Sequence, residues 1–99
     1  MRRIHPFTYR NSRFHICEYD GRIVGIDYKY VDEDGKLKKT LNGLQMFISD
    51  SVTECEERIM NSLDIDWYVQ NGVPRYKAIM IVMNIPDELE DKMKEIMEG

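Results

Sequence analysis

The stretch FHICEYDGRIVGIDYKYV, residues 14–31, decides the fold of this chain. Aromatic and β-branched residues dominate its two halves, and Asp20-Gly21 separates them. An Asp-Gly pair accepts the positive φ angles that a two-residue type I′ turn requires. The stretch therefore predicts a β-hairpin whose strands are residues 14–19 and 22–31.

Further turn signals extend this hairpin into a meander. The acidic loop 32–35 leads into a third strand at residues 36–41, and Asn42-Gly43 then leads into residues 44–49. Residues 44–49 are a candidate fourth strand, but they alternate imperfectly between apolar and polar side chains. This strand is therefore written in brackets in the element order given below.

The pattern becomes helical at residue 51. Ser51 followed by Glu54 matches a capping box, in which a hydroxyl and a carboxylate satisfy free amides at a helix start. Asn71-Gly72 supplies the left-handed residue that ends a helix. Between these signals, apolar residues recur near the helical period, at Val52, Cys55, Ile59, Leu63 and Trp67.

Two more elements are predicted after this helix. Residues 73–85 have a centre, 78–83, that is apolar on both faces, which indicates an interior strand. Pro86 pre-sets the backbone for the first turn of a last helix. The buried stripe of that helix is predicted to be Leu89, Met93, Ile96 and Met97.

The predicted order is β-β-β-(β)-α-β-α, an α+β fold. It is a two-layer sandwich, in which two helices pack on one face of a mainly antiparallel sheet. Residues 1–12 precede the sheet and are interpreted as a mobile basic arm. Because side chains alternate along strands, the second sheet face stays partly apolar. We expect the arm, a partner, or a second copy in a homodimer to cover that face.

Length and composition limit the class of protein. The 99 residues predict a single domain, 1–99, and the 42% hydrophobic and 32% charged content is typical of a folded globular chain. No apolar run approaches the length of a membrane-spanning helix, and the start has no apolar stretch of a secretory signal. Two cysteines are too few for a disulfide scaffold. We therefore expect reduced thiols, a cytoplasmic location and no membrane association.

Motifs that carry catalysis are missing from the sequence. It contains no Gly-rich phosphate loop, no Cys-x-x-Cys, no His-Glu-x-x-His and no Gly-x-Ser-x-Gly. His5, His15, Cys17 and Cys55 are residue types that zinc prefers, but their spacing matches no zinc module. His15 and Cys17 share a strand face, yet no nearby carboxylate would orient the imidazole. We interpret these four as structural and expect no enzyme activity, no metal and no cofactor.

Charge is divided unevenly along the chain, whose net charge is −4. Residues 1–41 hold nine basic and six acidic side chains, whereas residues 42–99 hold five basic and twelve acidic ones. An acidic helical surface can dock on a basic protein surface and steer association. The acidic face is predicted to comprise Glu54, Glu57, Asp64, Glu90, Asp91 and Glu95.

This polarity predicts a non-enzymatic protein-interaction module. We expect an inhibitor or regulator that docks its acidic helices on a basic, nucleic-acid-handling protein. Size and charge alone suggest an analogy with anti-defence proteins of phages and mobile elements, such as anti-CRISPR proteins.

The basic first part of the chain supports an alternative function, single-stranded nucleic-acid binding. Cations interleaved with aromatic side chains suit phosphate contacts combined with base stacking. The acidic net charge of the whole chain argues against this function. The residues that would contact nucleic acid are Arg2, Arg3, Tyr9, Arg10, Arg13, Lys36, Lys38 and Lys39.

Overall fold

The computed structural model of the protein describes residues 2–28 and 46–98. Four antiparallel strands form one sheet in the order β1-β2-β3-β4: β1 Arg2–Tyr9, β2 Ser12–Tyr19, β3 Arg22–Asp27 and β4 Met46–Ser49. Three α-helices follow: α1 Val52–Gln70, α2 Arg75–Val82 and, after a 3-10 turn at Asp87–Leu89, α3 Glu90–Glu98. The α+β class and the antiparallel sheet are confirmed. The predicted loop 32–35, strand 36–41 and turn 42–43 lie outside the described residues.

Two-residue turns join the first three strands. Asp20 and Gly21 have φ angles of 52° and 78°, which confirms the predicted hairpin. Arg10 and Asn11 have φ angles of 46° and 65° and form a second turn of this kind. Because Asn tolerates the left-handed region, this turn folds the preceding residues back against β2. The structure therefore has a paired strand where a mobile arm, 1–12, was predicted.

The first strand is irregular. Its register with β2 shifts between Arg3 and His5, which marks a bulge around Ile4. Pro6 lies opposite His15 and has no N–H to donate. Proline is tolerated in a strand at the edge of a sheet, and β1 is a terminal strand in the described strand order.

Both ends of α1 follow the predicted signals. The Glu54 N–H donates to Ser51 Oγ at 3.1 Å, which is the expected N-terminal cap. At the other end, Gly72 has a φ angle of 93°, and the Val73 N–H donates to the Tyr68 carbonyl at 3.0 Å. This is the glycine-based helix end that Asn71-Gly72 predicted.

The predicted strand at residues 73–85 is wrong, because this segment holds α2. Pro74 precedes the helix, and its carbonyl accepts the first helical hydrogen bond from the Ala78 N–H at 2.9 Å. A run that is apolar on every side fits a buried helix as well as a buried strand. Alanine and methionine, which favour helices, occupy its centre. The order after the sheet is thus α-α-α, with three helices instead of two.

The chain divides into two compact units, Met1–Ile59 and Met60–Gly99. In the first unit, the start of α1 packs against one face of the sheet. A Cβ placed on Gly25 would lie 2.8 Å from Ile59 Cδ1 and 2.9 Å from Cys55 Sγ, so helix and sheet approach closely there. In the second unit, Ala78 and Met80 of α2 are buried. The buried side chains between α1 and the sheet include Phe14, Ile16, Cys55 and Ile59.

Candidate binding surfaces

Strand register sorts the side chains of the sheet onto two faces. Gly25 lies against α1 and is paired with Ile16, so these positions belong to the helix-covered face. Directly paired residues point to the same side of a sheet, and neighbours along a strand point to opposite sides. Cys17, Val24 and Arg3, which are paired across the strands, therefore belong to the other face.

We call this other face the arginine face. It carries one arginine from each of the first three strands, Arg3, Arg13 and Arg22, all of them exposed. The two carboxylates of β1–β3, Glu18 and Asp27, lie on the helix-covered face. Within these three strands, both carboxylates and Arg2 therefore lie on the side of the sheet opposite Arg3, Arg13 and Arg22.

The four candidate zinc ligands do not come together. Cys55 is on α1, and His5 Nε2 lies 3.6 Å from Glu56 Oε1 of the same helix. His15 and Cys17 lie on the arginine face, so the sheet separates them from the other two. In residues 2–28 and 46–98, no group of three or more His, Cys, Asp or Glu side chains is arranged to hold a metal ion.

The His15–Cys17 pair is not activated for nucleophilic chemistry. Burial raises the pKa of the Cys17 thiol above its ordinary value of 9.0, so the thiol stays protonated at neutral pH. Burial lowers the pKa of His15 below 6.5, and the guanidiniums of Arg3 and Arg13 lower it further. A neutral thiol is a poor nucleophile. Burial also raises the pKa of Cys55, so neither cysteine has the properties of a reactive thiol.

The lowered pKa of His15 predicts a pH-dependent stability. Because the folded-state pKa lies below 6.5, the unfolded chain binds a proton at a higher pH than the folded protein does. The free energy of unfolding should therefore decrease as the pH falls from about 7.5 to about 5.5. Urea-unfolding midpoints measured across this interval should change less in His15→Gln than in the wild type. Equal pH dependence in both proteins would contradict the assignment.

Aromatic rings hold one arginine in place on the arginine face. The His15 and Tyr28 rings stack with centroids 3.6 Å apart and an interplanar angle of 20°. The Arg13 guanidinium carbon lies 4.6 Å from the centroid of the same Tyr28 ring. A cation over an aromatic face is stabilised by the ring quadrupole, so this contact restricts the Arg13 side chain.

The structure places the predicted nucleic-acid-binding residues in several different locations. Arg2 lies on the helix-covered side, where it pairs with Glu18 at 2.9 Å. Tyr9 is paired with Ser12 beside the turn, and the Arg10 guanidinium lies 5.6 Å from the Tyr9 ring centroid. Of the predicted set, Arg3 and Arg13 lie on the arginine face. Lys36, Lys38 and Lys39 lie outside the described residues. The sequence reading missed His15, Tyr19, Arg22 and Tyr28, although strand alternation places them with Arg13.

A shallow cavity lies at one end of the arginine face. Its volume is about 260 Å³, and it is lined by Tyr19, Asp20, Arg22, Val24 and Ile48. Tyr19 and Ile48 are 59% and 43% exposed, whereas Cys17, Val24 and Ile26 at the centre of the face are at most 4% exposed. The centre of this face is therefore shielded from solvent, and among the side chains that the structure describes, the large exposed hydrophobic ones on this face, Tyr19 and Ile48, lie at the cavity end.

Intrachain partners reduce the predicted acidic face. Glu54 pairs with Arg58 at 2.8 Å, and Glu90 pairs with Lys77 at 3.0 Å. Asp64 also takes part in an interaction within the chain. Glu54 and Glu57 belong to the first compact unit, and the other four residues belong to the second. Glu57, Asp91 and Glu95 remain as exposed carboxylates.

The apolar stripe of α3 is exposed, which corrects the prediction that it is buried. Leu89, in the 3-10 turn just before α3, is 46% exposed, and Ile96 and Met97 of the helix are 68% and 42% exposed, whereas Met93 is half-buried. The helix contacts α2 within its own unit, but this contact leaves most of the stripe uncovered. The periodicity identified the apolar side of the helix correctly. It could not show that α2 covers little of that side. Ile81 and Met83, in and just after α2, are also exposed, at 47% and 52%.

Comparison with protein-family models, curated proteins and solved structures found no match. None of the described helices has both the length and the hydropathy of a transmembrane segment.

Proposed function

We propose that the protein is a non-enzymatic protein-interaction module whose docking element is α3. The observation that carries this proposal is the exposure of Leu89, Ile96 and Met97, which form an apolar stripe along amphipathic α3 and the 3-10 turn just before it. Large apolar side chains grouped on one exposed face commonly mark interaction sites. An amphipathic helix binds by placing such a stripe in a partner's apolar groove.

The opposite side of α3 is acidic. At about 100° per residue, Asp91 and Glu95 each lie two positions from Met93 and therefore point away from the stripe. Both carboxylates are exposed. A concentrated negative charge of this kind accelerates association with a positively charged partner. The favoured partner thus combines an apolar groove with basic surroundings.

A nucleic-acid-handling protein has this chemistry, because it needs basic surfaces to hold phosphates. Occupying such a surface would inhibit or regulate that protein. An anti-defence role, such as that of an anti-CRISPR protein, belongs to this proposal as its narrowest form, and it is supported only by size and charge.

The proposal is tested by affinity purification of the tagged chain from lysate of its source cells, followed by affinity measurements with the purified partner. Replacing Leu89 and Ile96 together by asparagine should weaken binding at least about tenfold, since truncated anchor residues dominate interface energies. Reversing Asp91 and Glu95 to lysine should slow association and reduce its salt dependence. Glu54 and Glu90 are left unchanged, because their reversal would break ion pairs within the chain.

Glu57→Lys is the control for the charge reversal. Glu57 is an exposed carboxylate in the first unit and lies outside α3, so under this proposal its reversal should leave partner affinity unchanged. Equal capture of the partner by wild type and both α3 variants would overturn the proposal. Light scattering separates a further outcome: a dimer that dissociates in the Leu89/Ile96 variant would identify a second copy as the occupant of the stripe.

A further inference from the structure

We propose that Met97 is an oxidation site: a peroxide converts its thioether to the sulfoxide, and the sulfoxide weakens docking through the apolar stripe of α3. This inference rests on the function proposed above, because it concerns the regulation of the same stripe. The observation that carries it is the contrast in exposure among the sulfur-bearing side chains that the structure describes.

Methionine exposure differs widely within the second compact unit, which contains all five methionines whose side chains the structure describes. Met83 and Met97 are 52% and 42% exposed, whereas Met80 is 4% exposed. Met60 and Met93 are half-buried. A peroxide dissolved in water reaches a thioether where the side chain is open to solvent. Met83 and Met97 are therefore the methionines of this unit that react first.

The two cysteines do not compete for the oxidant. Cys17 and Cys55 are 3% and 0% exposed, and burial raises the pKa of both thiols. A peroxide oxidises the thiolate form of cysteine and needs access to it, so these two residues stay reduced while exposed thioethers react. Thioether oxidation requires no deprotonation, and it therefore proceeds at neutral pH.

The reaction adds one oxygen atom to the Met97 sulfur. The sulfur lone pair attacks one oxygen of hydrogen peroxide, so a sulfur–oxygen bond forms and the oxygen–oxygen bond breaks. The departing hydroxide takes the proton of the transferred hydroxyl group, and the products are the sulfoxide and one water molecule. Sulfur is oxidised by two electrons and the peroxide is reduced. A methionine sulfoxide reductase that uses a dithiol reverses the change, giving the thioether, water and a disulfide.

Met97 contributes to the docking stripe itself. It follows Ile96 directly and lies about one helical turn after Met93. Oxidation replaces this apolar thioether by a polar group that accepts hydrogen bonds, and burying such a group in an apolar groove without a donor is unfavourable. Met83 follows α2 and belongs neither to α3 nor to the 3-10 turn before it. Its oxidation should therefore leave docking unchanged.

The first measurement is peptide mapping by mass spectrometry while the purified chain is treated with hydrogen peroxide. Met83 and Met97 should be oxidised about fivefold or more faster than Met80. In the urea-unfolded chain the three residues should react at similar rates. This comparison shows whether the fold, and not the local sequence, sets the order of reaction.

The second measurement is retention on a phenyl-substituted column, which reports exposed apolar surface without any partner. In the Met83→Leu background, oxidation should shorten retention. In the Met83→Leu/Met97→Leu double variant, the same treatment should leave retention unchanged. Both substitutions keep an apolar side chain of similar volume, so neither should disturb the fold.

The third measurement is affinity for the partner captured by the docking experiment. Oxidation should weaken binding by wild type about tenfold, as expected for burial of an unpaired polar group, and reduction by the reductase should restore it. Met97→Leu should bind as tightly as wild type and resist the effect of peroxide. Met83→Leu is the matched control and should stay as sensitive as wild type.

Two results would overturn the proposal. The first is oxidation of Met80 as fast as that of Met97 in the folded protein. The second is complete conversion of Met97 with unchanged column retention and unchanged partner affinity. Failure of the docking function is distinguishable, because it appears before any oxidation, as equal partner affinity of wild type and the Leu89/Ile96 variant.

Discussion

Replacing Phe14 by alanine is expected to lower the free energy of unfolding by about 3–5 kcal/mol. Phe14 is 1% exposed and lies on the helix-covered face. Its ring meets the edge of Phe47, with centroids 6.0 Å apart and an interplanar angle of 79°. The alanine variant loses the buried ring, this aromatic contact and the packing around both. Because small domains are stable by only about 5–15 kcal/mol, most of the stability could disappear.

Urea unfolding followed by circular dichroism measures this loss as a lower midpoint at an unchanged slope. Tyr19→Ala is the matched control, because Tyr19 is also an aromatic residue of β2 but is 59% exposed. Its removal should cost about 0.5 kcal/mol or less. A similar loss in both variants would show that Phe14 is not a central core residue.

Gly25→Ala is expected to destabilise the protein by about 1–3 kcal/mol through overpacking. The added methyl would lie 2.8 Å from Ile59 Cδ1 and 2.9 Å from Cys55 Sγ, closer than atoms of this kind approach. Either the two side chains or the helix must move. The loss of stability therefore arises from the close approach of α1 to the sheet. An added methyl that faces open space would not cause this overpacking.

A double-mutant cycle isolates this mechanism. Ile59→Val deletes Cδ1, the atom nearest to the new methyl, so Gly25→Ala should cost less in that background than in wild type. Gly21→Ala is the control: nothing lies within 4 Å of its Cβ position, and its φ of 78° makes the substitution costly for a backbone reason. Ile59→Val should not relieve that cost. Strict additivity at Gly25 and Ile59 would contradict the packing explanation.

Local signals in the sequence predicted the turns and helix ends where one residue type dictates the backbone. Asp20 and Gly21 in the hairpin turn, and Gly72 after α1, have the positive φ angles that were predicted. The Arg10-Asn11 turn was not predicted, because arginine rarely occupies the left-handed region and the pair resembles an ordinary polar stretch. Because this turn was missed, the residues of the edge strand β1 were interpreted as part of a mobile arm.

Segments whose pattern fits two structures were less predictable. Residues 78–83 are apolar on every side, which is compatible with either a central strand or a packed helix, and the structure has α2 there. For α3 the pattern identified Leu89 and Ile96 as one apolar side. Whether another element covers that side depends on tertiary packing, which no local pattern encodes.

The candidate surfaces were predictable in part. Net charge along the chain identified basic and acidic regions, and Arg3 and Arg13 do share a face. The charge count could not show that Arg3, and not Arg2, lies on the same face as Arg13. The bulge around Ile4 decides which of these two arginines is on that face. Composition alone would also assign Glu90 to an acidic binding surface. In the structure, Glu90 forms an ion pair with Lys77, a residue distant in sequence, and this pair reduces the charge available to a partner.

The irregular first strand also affects how the protein behaves at high concentration. An open strand edge can recruit a strand from another molecule and start aggregation. Along β1, Pro6 lacks an N–H, the bulge around Ile4 disrupts a flat register, and Arg2 and Arg3 add like charges that repel a second copy. These are the devices by which natural sheets block growth at their edges. The segment that contributes Arg3 to the arginine face thus also opposes growth of the sheet at its β1 edge.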